Sequence, residues 1–157
     1  MKKIVVFYSL DGNTRFAAGV IAQEIGADIL ELKPEKDIPR KGFIKYLWGG
    51  RQVFMKEAPA LLPFEKNPED YDMLAIGTPV WAWRYAPAVE SFLKKAHLKN
   101  KRIALFCCHG GSRGKTFEKM KERLSGNEIV GMIDLMEPLR MGREKAKEKL
   151  VKWAHTI

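Results

Sequence analysis

Cysteine is scarce in this chain of 157 residues: there are two, side by side at Cys107 and Cys108. Neighbouring thiols cannot staple distant segments, which excludes a disulfide scaffold, and the CxxC spacing of a dithiol redox motif is absent. Packing at the end of a buried strand is the plainer role for the pair. Histidine is equally sparse, and His97 and His155 lie on helical stretches without acidic or cysteine partners at ligand spacing, so no metal site is expected. No Ser-His-Asp or Cys-His arrangement supports nucleophilic catalysis. Long apolar runs are missing too, none approaching the roughly 18 residues that span a bilayer. Met1-Lys2-Lys3 leads only into the short stretch Ile4–Tyr8, and no cleavage site follows. The expectation is a cytoplasmic protein with no membrane segment.

What is present suffices for one domain over residues 1–157. Hydrophobic residues make up 46% and charged residues 30%, a balance that excludes disorder and fills a continuous core. The net charge of +9 is unevenly spread: residues 1–90 hold 12 basic and 12 acidic side chains, residues 91–157 hold 16 and 7. Such a surplus suits either a solvated lysine-rich surface or a face for acidic partners. Nucleic acid is not an expected partner, because the aromatic residues do not interleave with the basic ones as a stacking platform requires.

Short apolar runs alternate with amphipathic stretches. Ile4–Tyr8 reads as a strand buried on both faces. A helix follows over 13–25, with Ala17, Val20, Ile21 and Ile25 on its apolar face and Gly26 as its stop. Strands are expected at 28–32, 72–77, 102–108 and 128–135, the first of them at a sheet edge. Helices are expected at 87–96, 113–124 and 143–155. Five strands separated by helices predict a three-layer α/β domain around a parallel sheet, and right-handed crossovers favour the strand order 2-1-3-4-5.

Ligands of such sheets bind at the carboxyl ends of the strands, where the order reverses. Three loops share that address. Ser9-Leu10-Asp11-Gly12-Asn13-Thr14 runs into a helix N-terminus, where free amides, hydroxyls and a permissive glycine suit a single phosphate. An ordinary capped turn would look the same. It has neither a P-loop lysine nor a GxGxxG fingerprint. Thr78-Pro79-Val80-Trp81-Ala82-Trp83, continued by Arg84 and Tyr85, places three aromatic rings past a buried strand, enough for the wall of a flat ligand. Cys108-His109-Gly110-Gly111, continued to Lys115, offers backbone amides to a polar ring edge. A phospho-receiver domain of the same strand order is excluded, because Gly77-Thr78 stands where its aspartate would be.

The stretch Val5-Val6-Phe7-Tyr8-Ser9-Leu10-Asp11-Gly12-Asn13-Thr14-Arg15 resembles the flavodoxin signature. Gly77-Thr78-Pro79-Val80-Trp81 and Gly110-Gly111-Ser112 are similar to that family's second and third flavin loops, in the same order. The resemblance implies a flavodoxin-like fold and FMN as cofactor. By the same resemblance Ser9 to Thr14 would hold the phosphate, Thr78 to Trp83 would line the ring with Trp81 or Trp83 stacked on it, and Cys108 to Gly111 would meet the pyrimidine edge. It also implies electron transfer between redox proteins, here with acidic docking surfaces, by a monomer or homodimer. The alternative is an FMN-dependent NAD(P)H reductase of quinones or nitro compounds, although no nicotinamide fingerprint is present.

Three departures from the family pattern stand out. The chain is basic where flavodoxins are acidic. No glycine lies between Val80 and Pro87, so a positive φ at Ala82 would cost about 1–2 kcal/mol. Arg113 and Lys115 stand in the third loop, where a cation near a reduced, anionic flavin would favour full reduction. In addition, the 34–71 segment is long for one crossover and rich in aromatic residues, Phe43, Tyr46, Trp48 and Phe54 among them. It reads as a helix packed on the sheet, with a flap or a dimer surface as the other options.

Overall fold

Ile4, Val5, Val6 and Phe7 are apolar without a break, and such a strand is stable only with both faces covered. The computed structural model, which describes residues 1–36 and 58–157, covers both. Strand β1 (Lys3–Phe7) lies between β2 (Asp28–Glu31) and β3 (Met73–Trp81). Strand β5 (Arg102–His109) pairs with β3, and β6 (Glu128–Met136) pairs with β5, all in parallel. The parallel strands therefore run β2-β1-β3-β5-β6, the order the alternating pattern predicts. A sixth strand, β4 (Arg84–Tyr85), folds back antiparallel on the end of β3 and was not expected.

Alternation along the strands divides the core in two. Val5, Phe7, Ala75 and Phe106 pack against Ala17 and Ile21 of α1 (Asn13–Ile25) and Leu150 of α5 (Arg143–Ala154). Ile4, Val6, Leu74 and Leu105 face the other way, onto Val89 and Phe92 of α2 (Pro87–Lys95) and Phe117 and Met120 of α3 (Thr116–Arg123). Each large side chain so covered contributes about 1.5–3 kcal/mol of transfer free energy. Close packing also fixes one small residue: a Cβ on Gly77 would lie 2.0 Å from Cζ of Phe106, its register partner on β5. Gly77 belongs to the core rather than to a ligand loop.

The structure departs from the expected boundaries at the carboxyl ends of the strands. β3 does not stop at Gly77 but continues through Thr78, Pro79, Val80 and Trp81, with Thr78 and Pro79 in register with Cys107 and Cys108. Pro79 lies beyond the last β1 pair, Phe7 with Gly77, so the strand is an edge on that side, where a residue lacking an N–H is tolerated. Helix α3 starts at Thr116 rather than Arg113. A four-residue helix, α4 (Pro138–Met141), links β6 to α5. The chain leaves β2 through Pro34 and returns at Leu61, bridged to it. The helix expected within 34–71, with its aromatic residues Phe43, Tyr46, Trp48 and Phe54, falls largely outside the described residues. No described helix is long and apolar enough to cross a membrane.

Candidate functional site

The loop after β1 is built by its own polar side chains. Ser9 Oγ accepts from the N–H groups of Gly12 and Arg15, both at 3.2 Å. The Asp11 carboxylate accepts from the backbone N–H and the side-chain amide of Asn13, each at 3.0 Å. Gly12 takes φ +97° at the N-cap of α1, and in place of an N-cap side chain Asp11 and Ser9 accept from the Asn13 and Arg15 N–H groups of the first turn. Glycine adopts that conformation without the penalty a Cβ brings. One group is left over: the Thr14 hydroxyl is buried with no oxygen or nitrogen partner, beside the Cys108 thiol. It stands in the first turn of a helix whose N-terminal dipole favours negative charge.

The second element is a two-residue hairpin, not a loop. Trp81 pairs with Arg84, and the connecting residues Ala82 and Trp83 have φ of +49° and +62°. Two successive positive values define the turn that normally selects Asn-Gly or Asp-Gly. The cost foreseen for a positive φ at Ala82 is thus already borne in the fold, and it is offset from outside the hairpin. Gly114, itself at φ +53°, lies so close that a Cβ there would sit 2.5 Å from Cβ and 2.7 Å from Cα of Trp83. The next residue, Lys115, donates its N–H to the Trp83 carbonyl at 3.0 Å. At the hairpin base the Thr78 hydroxyl donates to Pro79 O (2.8 Å) and accepts from Ala86 N–H (2.9 Å).

The hairpin orders its aromatic rings into separate roles. Trp81 is 7% exposed and meets Tyr8 edge to face, with ring centroids 5.6 Å apart. Trp83 is 61% exposed. Tyr85, which the sequence leaves open as a competitor for stacking, is instead buried and donates its hydroxyl to Glu90 on α2. The Arg123 guanidinium donates to the other Glu90 oxygen, with Lys94 at 3.6 Å and Arg84 at 3.9 Å. Burial alone would raise the Glu90 carboxyl, but the Tyr85 and Arg123 hydrogen bonds and the nearby cations hold it below its ordinary value. Burial, and then the carboxylate, push the Tyr85 phenol upward.

The third element ends β5. His109 carries a largely buried ring whose Nε2 lies 2.9 Å from Asp134 Oδ2 on β6, while Nδ1 is buried without a partner. The His109 carbonyl accepts from Glu137 N–H at 3.0 Å. Cys108 is buried beside Thr14, and burial pushes its thiol up to about 12, so it stays protonated at neutral pH. Burial raises the Cys107 thiol as well. Both are free thiols with the packing role expected of them.

These elements enclose a cleft of about 230 Å³ lined by Asp11, Asn13, Pro79, Val80, Trp81, Cys108, His109, Gly110 and Glu137. All but Glu137 were singled out from the sequence. Ser9, Leu10, Gly12 and Thr14 of the first loop, like Ala82, Trp83 and Gly111, lie outside its lining, and Thr78 is enclosed at the hairpin base. Glu137 enters from the turn between β6 and α4 at a left-handed φ of +35°. Asn13 Oδ1 accepts from Leu139 N–H at 3.0 Å and ties that turn to the first loop. The signal for it was Pro138, since proline favours the first position of a helix. Arg113 lies over the Phe117 ring and 4.0 Å from Glu118, and neither it nor Lys115 lines the cleft, which Asp11 and Glu137 make acidic.

Comparison with known proteins places this arrangement. A family model described as Flavodoxin matches residues 2–157. A comparison with curated proteins gave no match. Among solved structures, one from Bacteroides eggerthii, proposed to be a flavoprotein, aligns with a TM-score of 0.78 at 23% identity, covering 98% of each chain. A second such protein, from Bacteroides uniformis, gives 0.79 at 21% identity over 95% of this chain and 97% of the other. A flavoprotein from Lactobacillus acidophilus, solved in complex with FMN, gives 0.72 at 20% identity over 98% of each. At these identities the likeness is one of fold.

Proposed function

Because the chain belongs to the flavodoxin family, we propose that it binds FMN in the cleft and carries electrons between redox proteins. The observation that carries this reading is the convergence of three sequence-distant segments on one cleft at the carboxyl ends of β1, β3 and β5. That is where the strand order reverses and where such sheets bind ligands. The residues fit the cofactor. A phosphate at the N-terminus of α1 would have the dipole of the first turn to favour its charge, and the Thr14 hydroxyl stands in that turn, buried beside the Cys108 thiol. Trp81 offers a held aromatic wall, and the exposed backbone of Gly110 and Gly111 leaves amides open to a polar ring edge.

FMN, when bound, supplies a ring that takes up and releases one or two electrons. The protein's share is to position and insulate that ring. Ser9 fixes the loop through two backbone N–H groups, so its conformation is set before ligand arrives. Trp81, set edge to face against Tyr8, forms an aromatic wall on one side of the cleft. Asp11 and Glu137 place negative charge at the cleft, which opposes accumulation of negative charge on a bound group.

Reconstitution with FMN followed by stepwise reduction, watched in the visible spectrum, tests the reading. A one-electron absorbance that rises and then fades is expected of a carrier. Direct bleaching, together with steady NAD(P)H oxidation in the presence of a quinone, would instead identify a reductase.

A further inference from the structure

The two rims of the cleft differ in how their cations are engaged. On the hairpin side Arg84 lies near Glu90 and Arg113 near Glu118, and Lys115 is exposed without an ion pair among the described residues. On the other side, residues 138–154, spanning α4 and α5, carry six basic and two acidic side chains. Arg143, Lys145, Lys147 and Lys152 are exposed and form no ion pair among the described residues; Arg143 lies over the Phe16 ring at 5.1 Å. At the top of this basic helix, Leu139 is 42% exposed and Met141 58%. Both follow Glu137, which lines the cleft, and Leu139 is bound through its N–H to the first loop. An apolar knob at the cleft edge, flanked by Arg143 and Lys147 one helical turn apart on one face of α5, has the composition of a docking surface with a dry centre and a charged margin.

We propose that the α4–α5 surface docks a redox protein whose own face is acidic around an apolar centre. The inference rests on the reading of the cleft as an FMN site, since docking beside it shortens the path for an electron. Leu139 and Met141 supply contact that salt does not screen. Arg143, Lys147 and their neighbours steer the partner at a rate that falls as ionic strength rises.

The test uses the FMN-loaded protein, chemically reduced, and two ferric haem proteins as acceptors: acidic cytochrome b5 and basic cytochrome c. Each ferric haem takes one electron from the flavin, whose protons pass to solvent. Arg143→Glu/Lys147→Glu is compared with Lys99→Glu/Lys121→Glu, an equal change of charge away from this surface. At low salt the first pair is expected to slow transfer to cytochrome b5 about tenfold and the second less than twofold, the gap closing at high salt. Met141→Ser is expected to slow it about threefold at every salt concentration. Unchanged FMN affinity in each variant confirms that the fold and the cleft survive.

Equal losses from both pairs would reduce the effect to net charge and overturn the proposal, as would no loss from either. Faster transfer to cytochrome c than to cytochrome b5 by the unaltered protein would also overturn it. So would tighter binding of the unaltered protein to duplex DNA or anionic vesicles than to cytochrome b5, abolished by the first pair. A protein that takes up no FMN would overturn the cofactor reading, and this inference with it.

Discussion

The first loop and the hairpin form adjoining walls of one cleft, yet they are held by opposite means. Ser9 to Thr14 is locally self-sufficient: a hydroxyl, a carboxylate and a glycine satisfy its turn, and its residue types suit the conformation they adopt. The hairpin is locally unsuited to its conformation. Ala82 and Trp83 take left-handed backbone values that each cost about 1–2 kcal/mol in isolation. Contacts from elsewhere hold them there, from Gly114 and Lys115 above and from Glu90, through Tyr85, below. Backbone strain beside a ligand cleft persists only where the surroundings over-determine it.

Breaking the hairpin's external support has the largest expected effect. Gly114→Ala introduces a Cβ into the Trp83 backbone at a positive φ, and a stability loss of about 3–4 kcal/mol is expected in denaturant unfolding, overpacking and strain together. A loss below about 1 kcal/mol would show that the hairpin carries its own conformation.

Glu90→Gln is expected to cost about 2 kcal/mol, because it removes the charge that Tyr85 and Arg123 engage. The pH dependence follows from the lowered carboxyl. A depressed folded-state value stabilises above the ordinary glutamate value of about 4.3 and loses that contribution as the pH falls through the folded value. Thermal unfolding between about pH 3 and pH 7 should therefore fall less steeply toward acid in Glu90→Gln than in the unaltered protein. Parallel curves would remove Glu90 from the account.

The first loop should respond more mildly. Ser9→Ala leaves the Gly12 and Arg15 N–H groups without their acceptor, for an expected loss of about 1–2 kcal/mol and weaker FMN uptake by fluorescence titration. Undiminished FMN affinity would mean that the loop is not the phosphate site. The smallest effect has the opposite sign. Ala82→Gly relieves a positive φ, and a gain of up to about 1 kcal/mol is expected, reduced by the greater freedom of glycine in the unfolded chain. A loss would mean that the Ala82 methyl packs more than it strains.

Legibility in the sequence follows the same divide. The first loop was readable because its chemistry is local: Ser9 and Asp11 act on backbone N–H groups within six residues, and α1 runs over Asn13–Ile25 as its periodicity requires. The strand order was readable for a related reason, since uninterrupted apolar runs and right-handed crossovers leave few alternatives. The hairpin was not readable. Its turn carries neither Gly nor Asn, and nothing in Trp81 to Arg84 reports that Gly114, some thirty residues on, will press against it. Tyr85 resembled a free ring until Glu90, one turn into the next helix, was seen to claim its hydroxyl. Glu137 escaped notice because it reaches the cleft only through the turn that Asn13 draws in at Leu139.

By itself, then, the sequence determined the five parallel strands, their order and the helix that follows the first of them, because these depend on periodicity and on groups a few residues apart. Tertiary structure alone decided that β3 outruns its expected end, that Trp81 and Trp83 part company, and that acidic rather than basic side chains line the cleft. Each of those outcomes turns on which distant backbone or side chain comes to lie alongside, and packing sets that only when the whole sheet has assembled.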